Sequence, residues 1–277
     1  MTDEDRHDWL VRHLAQAAQR LGVTIEGEPV HGLYDRTLAA RTSGPAWLRV
    51  TAQRPEWTKD EMWDGIATAV GEPFDDIPMP RYLRSVEWTD SDRVVRADLL
   101  TYVDGRAIGT GLVLDHHVDL SDSWWKALRA GLEPLQLMTT TERLTTSVRD
   151  RDFRDYLLAL FGIEIDPDRI EMVVSHGDLH FGNLTGPDLV ILDWENWGWA
   201  PAGYDAAHLL CSAILHPDIA ERVRTEFAET LDTYTGAIAQ LVAASKYLHH
   251  VTNGRFREAA VPIRRHVETV IREQLTS

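Results

Sequence analysis

At 277 residues, 44% apolar and 26% charged, the chain is long enough to bury a sizeable core as one large domain or two lobes. Its formal net charge of −16 argues against broad nucleic-acid binding, which needs a cationic surface, and no apolar run is long enough for a membrane span. The charged, amphipathic start MTDEDRHDWL does not read as a secretory signal, and the single cysteine, Cys211, cannot form an internal disulfide, so a cytoplasmic location is expected.

Taken in chain order, Trp9, Leu10, His13, Leu14, Ala17 and Leu21 recur at helical spacing and predict a helix from Asp3 to Leu21. Strand-like runs follow at Glu28–Gly32, Thr37–Arg41 and Trp47–Ala52, the last two joined by the hairpin signal Ser43-Gly44-Pro45. Thr58 and Glu61 have capping-box spacing, and Met62, Ile66 and Val70 form an apolar stripe, which together predict a helix from Thr58. Two more strands, Tyr82–Trp88 and Arg93–Tyr102, flank a turn at Thr89–Asp92.

After Asp104-Gly105 the pattern becomes helical, with candidate helices at Ser121–Met138, Asp152–Phe161, Tyr204–Leu215, Asp218–Tyr247 and Arg257–Leu275. One small β segment interrupts them between Met172 and Trp194. A β-rich first third and a helical remainder predict an α+β fold of two lobes, residues 1–103 and 104–277. No internal repeat is visible, and no feature sets an oligomeric state.

The stretch Ser175–Pro201, SHGDLHFGNLTGPDLVILDWENWGWAP, carries the chemistry. Met172–Ser175 reads as a short strand feeding a polar loop from His176 to Gly182. Asn183–Thr185 and Leu189–Asp193 read as two strands joined by the tight turn Gly186-Pro187-Asp188, which places Asn183 and Asp193 side by side. Asp178 lies just upstream, so three oxygen-bearing side chains converge at one mouth. Gly177 and Gly182 flank Asp178 and would let backbone approach a ligand. Few oxygen ligands with room for water and phosphate suit Mg2+.

The run His176-Gly177-Asp178-Leu179-His180-Phe181-Gly182-Asn183, followed by Ile191-Leu192-Asp193-Trp194-Glu195, resembles the catalytic and metal-binding loops of the aminoglycoside phosphotransferase and choline kinase superfamily. That family usually has proline where this chain has Phe181. The resemblance implies a protein-kinase-like bilobal fold and transfer of a phosphoryl group from ATP, or GTP, to a hydroxyl. Asp178 would be the catalytic aspartate, Asn183 and Asp193 the Mg2+ ligands, His176 a loop-holding residue and Asp205 a structural aspartate. The segment Ala97–Gly105 resembles the family's hinge, where backbone groups of Leu100 to Val103, Leu100 and Tyr102 among them, would bind adenine. Trp47-Leu48-Arg49-Val50 resembles the strand that normally carries a phosphate-binding lysine. Here the position is Arg49, and none of the three lysines, Lys59, Lys126 and Lys246, lies on a plausible strand. Arginine can grip phosphate as a bidentate fork. The choice of its partner between Glu56 and Glu61 stays open, and a phosphate loop is expected around Gly32–Thr37, where Arg36 is a candidate.

The acidic balance and the resemblance imply a small cationic acceptor, an aminoglycoside or a cationic cyclic peptide such as capreomycin or viomycin, and hence antibiotic resistance. Its pocket is expected from Glu195, Trp197 and Trp199 and from Glu226, Glu229 and Asp232, since carboxylates beside aromatic faces suit a polycation. The alternative is that the tryptophans pack under the metal loop and the helix glutamates are solvated. A metabolite kinase (choline, homoserine or sugar type), a nucleotide-binding pseudoenzyme and a metallophosphoesterase are the rival readings; the last lacks the further Asp, Asn and His clusters it needs.

Overall fold

The computed structural model describes residues 3–32, 36–59, 61–146 and 148–276, the side chains of residues 3–5 and 61 excepted. The phosphate loop expected at Gly32–Thr37 therefore lies partly outside the described residues, as does the side chain of Glu61. The chain divides into two compact units, Met1–Asp75 with Met79–Asp104, and Asp76–Pro78 with Gly105–Ser277. Among the described residues no helix is long and apolar enough to cross a membrane.

The first unit is a five-stranded antiparallel sheet with one long helix, α1 (Asp3–Leu21), on one face. The strands are β1 (Ile25–His31), β2 (Thr37–Thr42), β3 (Ala46–Gln53), β4 (Tyr82–Asp90) and β5 (Arg93–Thr101), in the order β1-β2-β3-β5-β4. Leu10, Leu14, Ala17, Ala18 and Leu21 of α1 pack on Leu38, Ala40, Leu48, Val50, Val95, Ala97 and Leu99. The two periodicities meet here: one helix stripe covers every second residue of three strands. Asp90, at the end of β4, accepts Trp9 Nε1–H at 2.9 Å and His13 Nε2–H at 3.0 Å, which fixes where α1 crosses the sheet.

The other face of β5 is polar yet closed. Asp98 is 2% exposed and Arg96 6% exposed. Arg96 donates to Asp98 Oδ1 and to Glu87 Oε1, both at 2.8 Å. Arg49, on β3, is the cross-strand partner of Asp98.

The helix predicted from Thr58 is not formed as such. Short 3-10 turns at Pro55–Trp57 and Glu61–Trp63 precede a four-residue helix, α2 (Gly65–Thr68). Thr58 does not cap: its hydroxyl donates to Pro55 O at 2.9 Å and closes the proline-initiated turn. Thr68 bonds back to the carbonyls of Asp64 and Gly65, and Val70 of the predicted stripe is exposed.

The second unit begins with β6 (Arg106–Ala107) and two capped helices, α3 (Asp122–Gln136) and α4 (Arg151–Phe161). Ser121 caps α3 and Asp150 caps α4 through backbone N–H groups. β7 (Met172–Ser175) pairs antiparallel with β9 (Gly198–Pro201), Met172 opposite Pro201 and Ser175 opposite Gly198. The polar loop therefore leaves one strand of a ribbon and the chain returns on the other. Between them the predicted hairpin is reduced to a bridge between Leu184 and Ile191, because β8 (Thr185–Gly186) pairs with β6 instead.

Helices α5 (Tyr204–Ser212), α6 (Pro217–Glu226), α7 (Ala228–Leu231), α8 (Tyr234–Thr252) and α9 (Ala260–Val270) complete the unit. The continuous helix predicted over Asp218–Tyr247 is thus three helices, with Thr233 starting α8 by accepting Gly236 N–H at 2.9 Å. The predicted Arg257–Leu275 helix divides into a 3-10 turn, α9 and a π turn over Ile271–Leu275. α8 is buried continuously from Thr235 to Ser245 and forms the axis against which α5 lies. Cys211, on α5, is fully buried with its thiol pushed up to about 12 by burial, which makes it inert.

Removing Arg96 leaves Asp98 buried without its partner, so Arg96→Ala is expected to destabilise the fold by about 3–5 kcal/mol. Urea unfolding measures this; a change below about 1 kcal/mol would show that the pair adds nothing.

Candidate active site

The loop from His176 to Asn183 is held by a frame built before any ligand arrives. Asp205, in the first turn of α5, accepts His176 N–H at 2.7 Å and Gly177 N–H at 2.9 Å, so one buried carboxylate satisfies two consecutive amides. Burial pushes Asp205 up, against His176 and those two N–H groups. His176 donates from Nε2 to Leu192 O at 2.8 Å and accepts Asp178 N–H at Nδ1. That pairing holds it in one neutral tautomer, and burial lowers its pKa accordingly. His176 thereby ties the loop to the residue before Asp193. The role expected of it, holding the loop, is the one its hydrogen bonds describe.

Gly177 has a φ of 83°, and a Cβ there would meet Asn196 O and Thr145. A Cβ on Gly182 would meet Gly111 O at 2.8 Å and the His180 ring at 2.9 Å. These glycines let the loop pack on its own unit; the expectation that they open backbone to a ligand is corrected by this packing. Asn196 closes the frame by donating from Nδ2 to Gly177 O at 2.9 Å.

Inside the frame sits Asp178, its side chain 27% exposed. Lys246 Nζ, from α8, donates to Asp178 Oδ1 at 2.8 Å. Asn183 Nδ2 donates to Asp178 O at 2.9 Å and lies 3.5 Å from Oδ2. His180 Nε2 is 3.7 Å from Oδ2, with His180 Nδ1 accepting Gly182 N–H. His208 Nε2 is 3.5 Å from Oδ1, while its Nδ1 faces Leu179 O at 3.2 Å. Burial alone would raise the carboxyl, but Lys246 and then His180 outweigh it and hold Asp178 well below the usual carboxylate range. The group is an ionised carboxylate with a fixed direction.

His208 is fully buried, and burial followed by the Lys246 charge pushes it well below the usual histidine range. It is neutral. Its Nε2 has no hydrogen-bond partner among the described residues and faces Asp178 Oδ1. Tyr247 OH donates to His208 O at 3.0 Å and stacks edge-on against the ring, which keeps it there.

Asn183 and Asp193 are brought together by backbone. Leu192 N–H donates to Asn183 O at 2.8 Å, and Leu192 O is the acceptor for His176, so Leu192 is held at both groups. Asp193 follows it with a φ of 60°, a left-handed conformation unusual for a residue with a Cβ. Among the described residues no cluster of three or more His, Cys, Asp or Glu is built to hold a metal ion. Two oxygen donors, one amide and one carboxylate, fit Mg2+, which takes the rest of its shell from water and phosphate.

The residues expected to make the acceptor pocket divide. Trp197 is buried, with Arg143 stacked on its ring at 4.7 Å, and Trp199 donates to Thr141 O at 2.7 Å. Both tryptophans pack as scaffold. Glu226 is occupied by Arg222 at 2.6 Å and Arg129 at 3.2 Å, while Glu229 and Asp232 are exposed. Glu195 is half-buried on the turn after Asp193, and its carbonyl accepts from Arg143 at 2.9 Å.

In the other unit, Arg49 faces Asp98 across β3 and β5, and Glu56 meets Arg54 at 3.9 Å. Among the described side chains the carboxylate opposite Arg49 in the sheet is Asp98, and the Glu61 side chain lies outside the described residues. Leu100 is buried within β5, and Tyr102 already donates its N–H to Pro45 O at 2.9 Å while its ring lies under Arg41 at 4.4 Å.

Lys246 and His208 were absent from the residues singled out in the sequence. The signal for each was faint but present: a lone lysine inside the apolar run LVAASKYL and a histidine inside AAHLLCSAIL, in a chain with three lysines.

No curated protein matches the chain at the sequence level. Among solved structures it is similar to a thermostable mutant of aminoglycoside phosphotransferase APH(4)-Ia in ternary complex with AMP-PNP and hygromycin B, with a TM-score of 0.61, 11% identity, 94% of this chain covered and 98% of that one. It is also similar to APH(2")-IIia in complex with GDP and kanamycin, with a TM-score of 0.57, 16% identity, and 95% and 99% covered. Amicoumacin kinase hAmiN, in complex with AMP-PNP, Ca2+ and Ami, gives a TM-score of 0.56, 13% identity, and 96% and 94% covered. The family model described as the phosphotransferase enzyme family, APH, matches residues 69–241, well over half the chain, and the protein belongs to that family.

Proposed function

We propose that the protein transfers the γ-phosphoryl group of ATP, or of GTP, to a hydroxyl of a small molecule, with Asp178 orienting that hydroxyl and receiving its proton. The observation that carries the reading is an ionised, directed carboxylate in one loop with Asn183 and one hydrogen bond away from the residue before Asp193. The acceptor oxygen forms a bond to phosphorus, the bond from phosphorus to the bridging oxygen breaks, and the nucleoside diphosphate leaves. A carboxylate held this low is a weak base, which suits a loose transition state where the hydroxyl proton moves late. Asp178 contributes chiefly by placing the hydroxyl.

Asn183 and Asp193 would hold Mg2+, which when bound neutralises charge on the nucleotide phosphates. In the N-terminal unit Arg49 is the proposed phosphate-binding cation, its charge balanced across the sheet by Asp98. The backbone around Leu100 and Tyr102 is the proposed adenine edge; since the Tyr102 N–H is already engaged, the contribution of this residue would come from its carbonyl or ring.

For the acceptor, the proposal is a cationic antibiotic, an aminoglycoside or a cyclic peptide of the capreomycin or viomycin type, with resistance as the consequence. The support is a net charge of −16, the family, and fold relatives solved with kanamycin, hygromycin B and amicoumacin. Glu195, on the turn after Asp193, and the exposed Glu229 and Asp232 are the carboxylates proposed to meet such a molecule, whereas Glu226 is paired with two arginines.

Incubation with Mg-ATP and a panel of aminoglycosides, capreomycin, viomycin, choline, homoserine and a ketosamine, read by mass spectrometry, tests this. A one-phosphate gain on an antibiotic is expected; a gain only on a metabolite would replace the acceptor class. Asp178→Ala should lower turnover at least about 1,000-fold with nucleotide affinity within about threefold of wild type. Retained turnover would sink the role of Asp178. Asp193→Ala should weaken Mg-nucleotide binding at least about tenfold by titration calorimetry; unchanged binding would place the metal elsewhere.

A further inference from the structure

Lys246 is the one strongly charged group in contact with Asp178 that the phosphotransfer reading leaves without work. Its Nζ lies 2.8 Å from Asp178 Oδ1, on a helix whose preceding eleven residues are all buried and mostly apolar. Its side chain is 33% exposed and that of Asp178 27%, so the ion pair is not sealed within the helix packing. A residue serving only as a fold pin would be expected deeper in the α5–α8 packing, where α8 carries Ala239, Val242 and Ala243.

We propose that Lys246 contacts the terminal phosphoryl group of the bound nucleotide, leaving or sharing Asp178 when the nucleotide enters. The inference rests on the phosphotransfer reading. An acceptor oxygen must lie about 2.6–3.2 Å from Asp178 and about 3–3.5 Å from phosphorus. The phosphoryl oxygens then fall within reach of a flexible ammonium already bonded to that carboxylate, which keeps two further N–H donors.

The neighbours of Asp178 offer no substitute. His208 is fully buried and held neutral by burial and by the Lys246 charge. His180 is engaged at Nδ1 by the Gly182 N–H. Lys246 is therefore the cation at the point where negative charge gathers. The residue type fits the task. The chain has 28 basic residues and only three lysines, yet it places lysine here. An arginine fork would hold Asp178 through two parallel bonds and block the hydroxyl; a single ammonium can swing between carboxylate and phosphate.

The experiment is titration calorimetry of AMP-PNP and of ADP, each with Mg2+, into wild type, Lys246→Met, Lys246→Gln and Lys246→Arg. Both neutral variants are expected to lose about tenfold in AMP-PNP affinity, the scale of one charge-assisted hydrogen bond, with ADP affinity unchanged. Lys246→Arg should recover little of the loss, because its fork stays on Asp178. The unchanged ADP affinity also reports that the variants are folded. Because removing Lys246 exposes the charge of Asp178, the same comparison is made on an Asp178→Asn background, where the loss should persist. If it vanishes there, Lys246 merely neutralises Asp178 and the proposal is overturned. Equal loss for both nucleotides, or none for either, overturns it too. Wild type that binds neither nucleotide would bring down the phosphotransfer reading, a distinct result from a failure of Lys246 alone.

Discussion

A carboxylate that is three-quarters covered by protein stays charged only if donors surround it, and the C-terminal unit is organised around meeting that demand for Asp178. The short donor to its carboxylate, Lys246, comes from α8, while Asn183 and His180, from the loop that carries Asp178, stand 3.5 Å and 3.7 Å from its other oxygen. The axis of the unit, α5 against α8, is therefore more than packing. It sets the distance between a helix-borne ammonium and a loop-borne carboxylate. The second buried aspartate, Asp205, works through backbone instead, and takes the amides of His176 and Gly177 so that the loop cannot relax away from that ammonium.

The frame divides its labour by bond type. Backbone groups fix the path of the loop through Asp205, His176, Leu192 and Asn196, all by short bonds to main-chain atoms. Side chains at the mouth are held by charge, which can be exchanged for a ligand's charge at little net cost. A site that must accept phosphate needs this arrangement. Rigid main-chain contacts preserve the geometry while the ionic contacts are the ones free to be rewired. The left-handed backbone of Asp193 belongs to the first class, since it is dictated by the two bonds that clamp Leu192.

What was legible in the sequence follows the same division. Asp178 and Asn183 lie five residues apart, so local spacing sufficed to put them in hydrogen-bond contact, and Asp193 follows Leu192, whose N–H binds Asn183 O. The period-two strands of the first unit and the α1 stripe were legible because one face of each is buried. Lys246 and His208 were not, because each lies on an apolar helix distant in sequence and only helix packing turns it toward the loop. The helix at Thr58 failed for the opposite reason. A local capping signal was present, but Pro55 claimed the Thr58 hydroxyl for a tighter turn. Trp197 takes the packed alternative that the sequence left open, and Glu226 is held by Arg129 and Arg222, since composition cannot tell an aromatic face from one already covered by Arg143, or a free carboxylate from a paired one.

The charge pattern around Asp178 also bears on what the acceptor can be. The protein as a whole carries −16, a field that draws cations from a distance, yet the group nearest the reacting carboxylate is an ammonium. These act at different ranges. The far field governs encounter and weakens with salt, whereas Lys246 acts within a few ångströms and is partly shielded from solvent. A cationic acceptor of the kind proposed would be attracted to the protein but would have to present a hydroxyl whose immediate neighbours carry no ammonium, with its amines directed away from Lys246. Among hydroxyls of one polyamine, this sign reversal selects the one farthest from the amines, and regiochemistry would follow from electrostatics before shape enters.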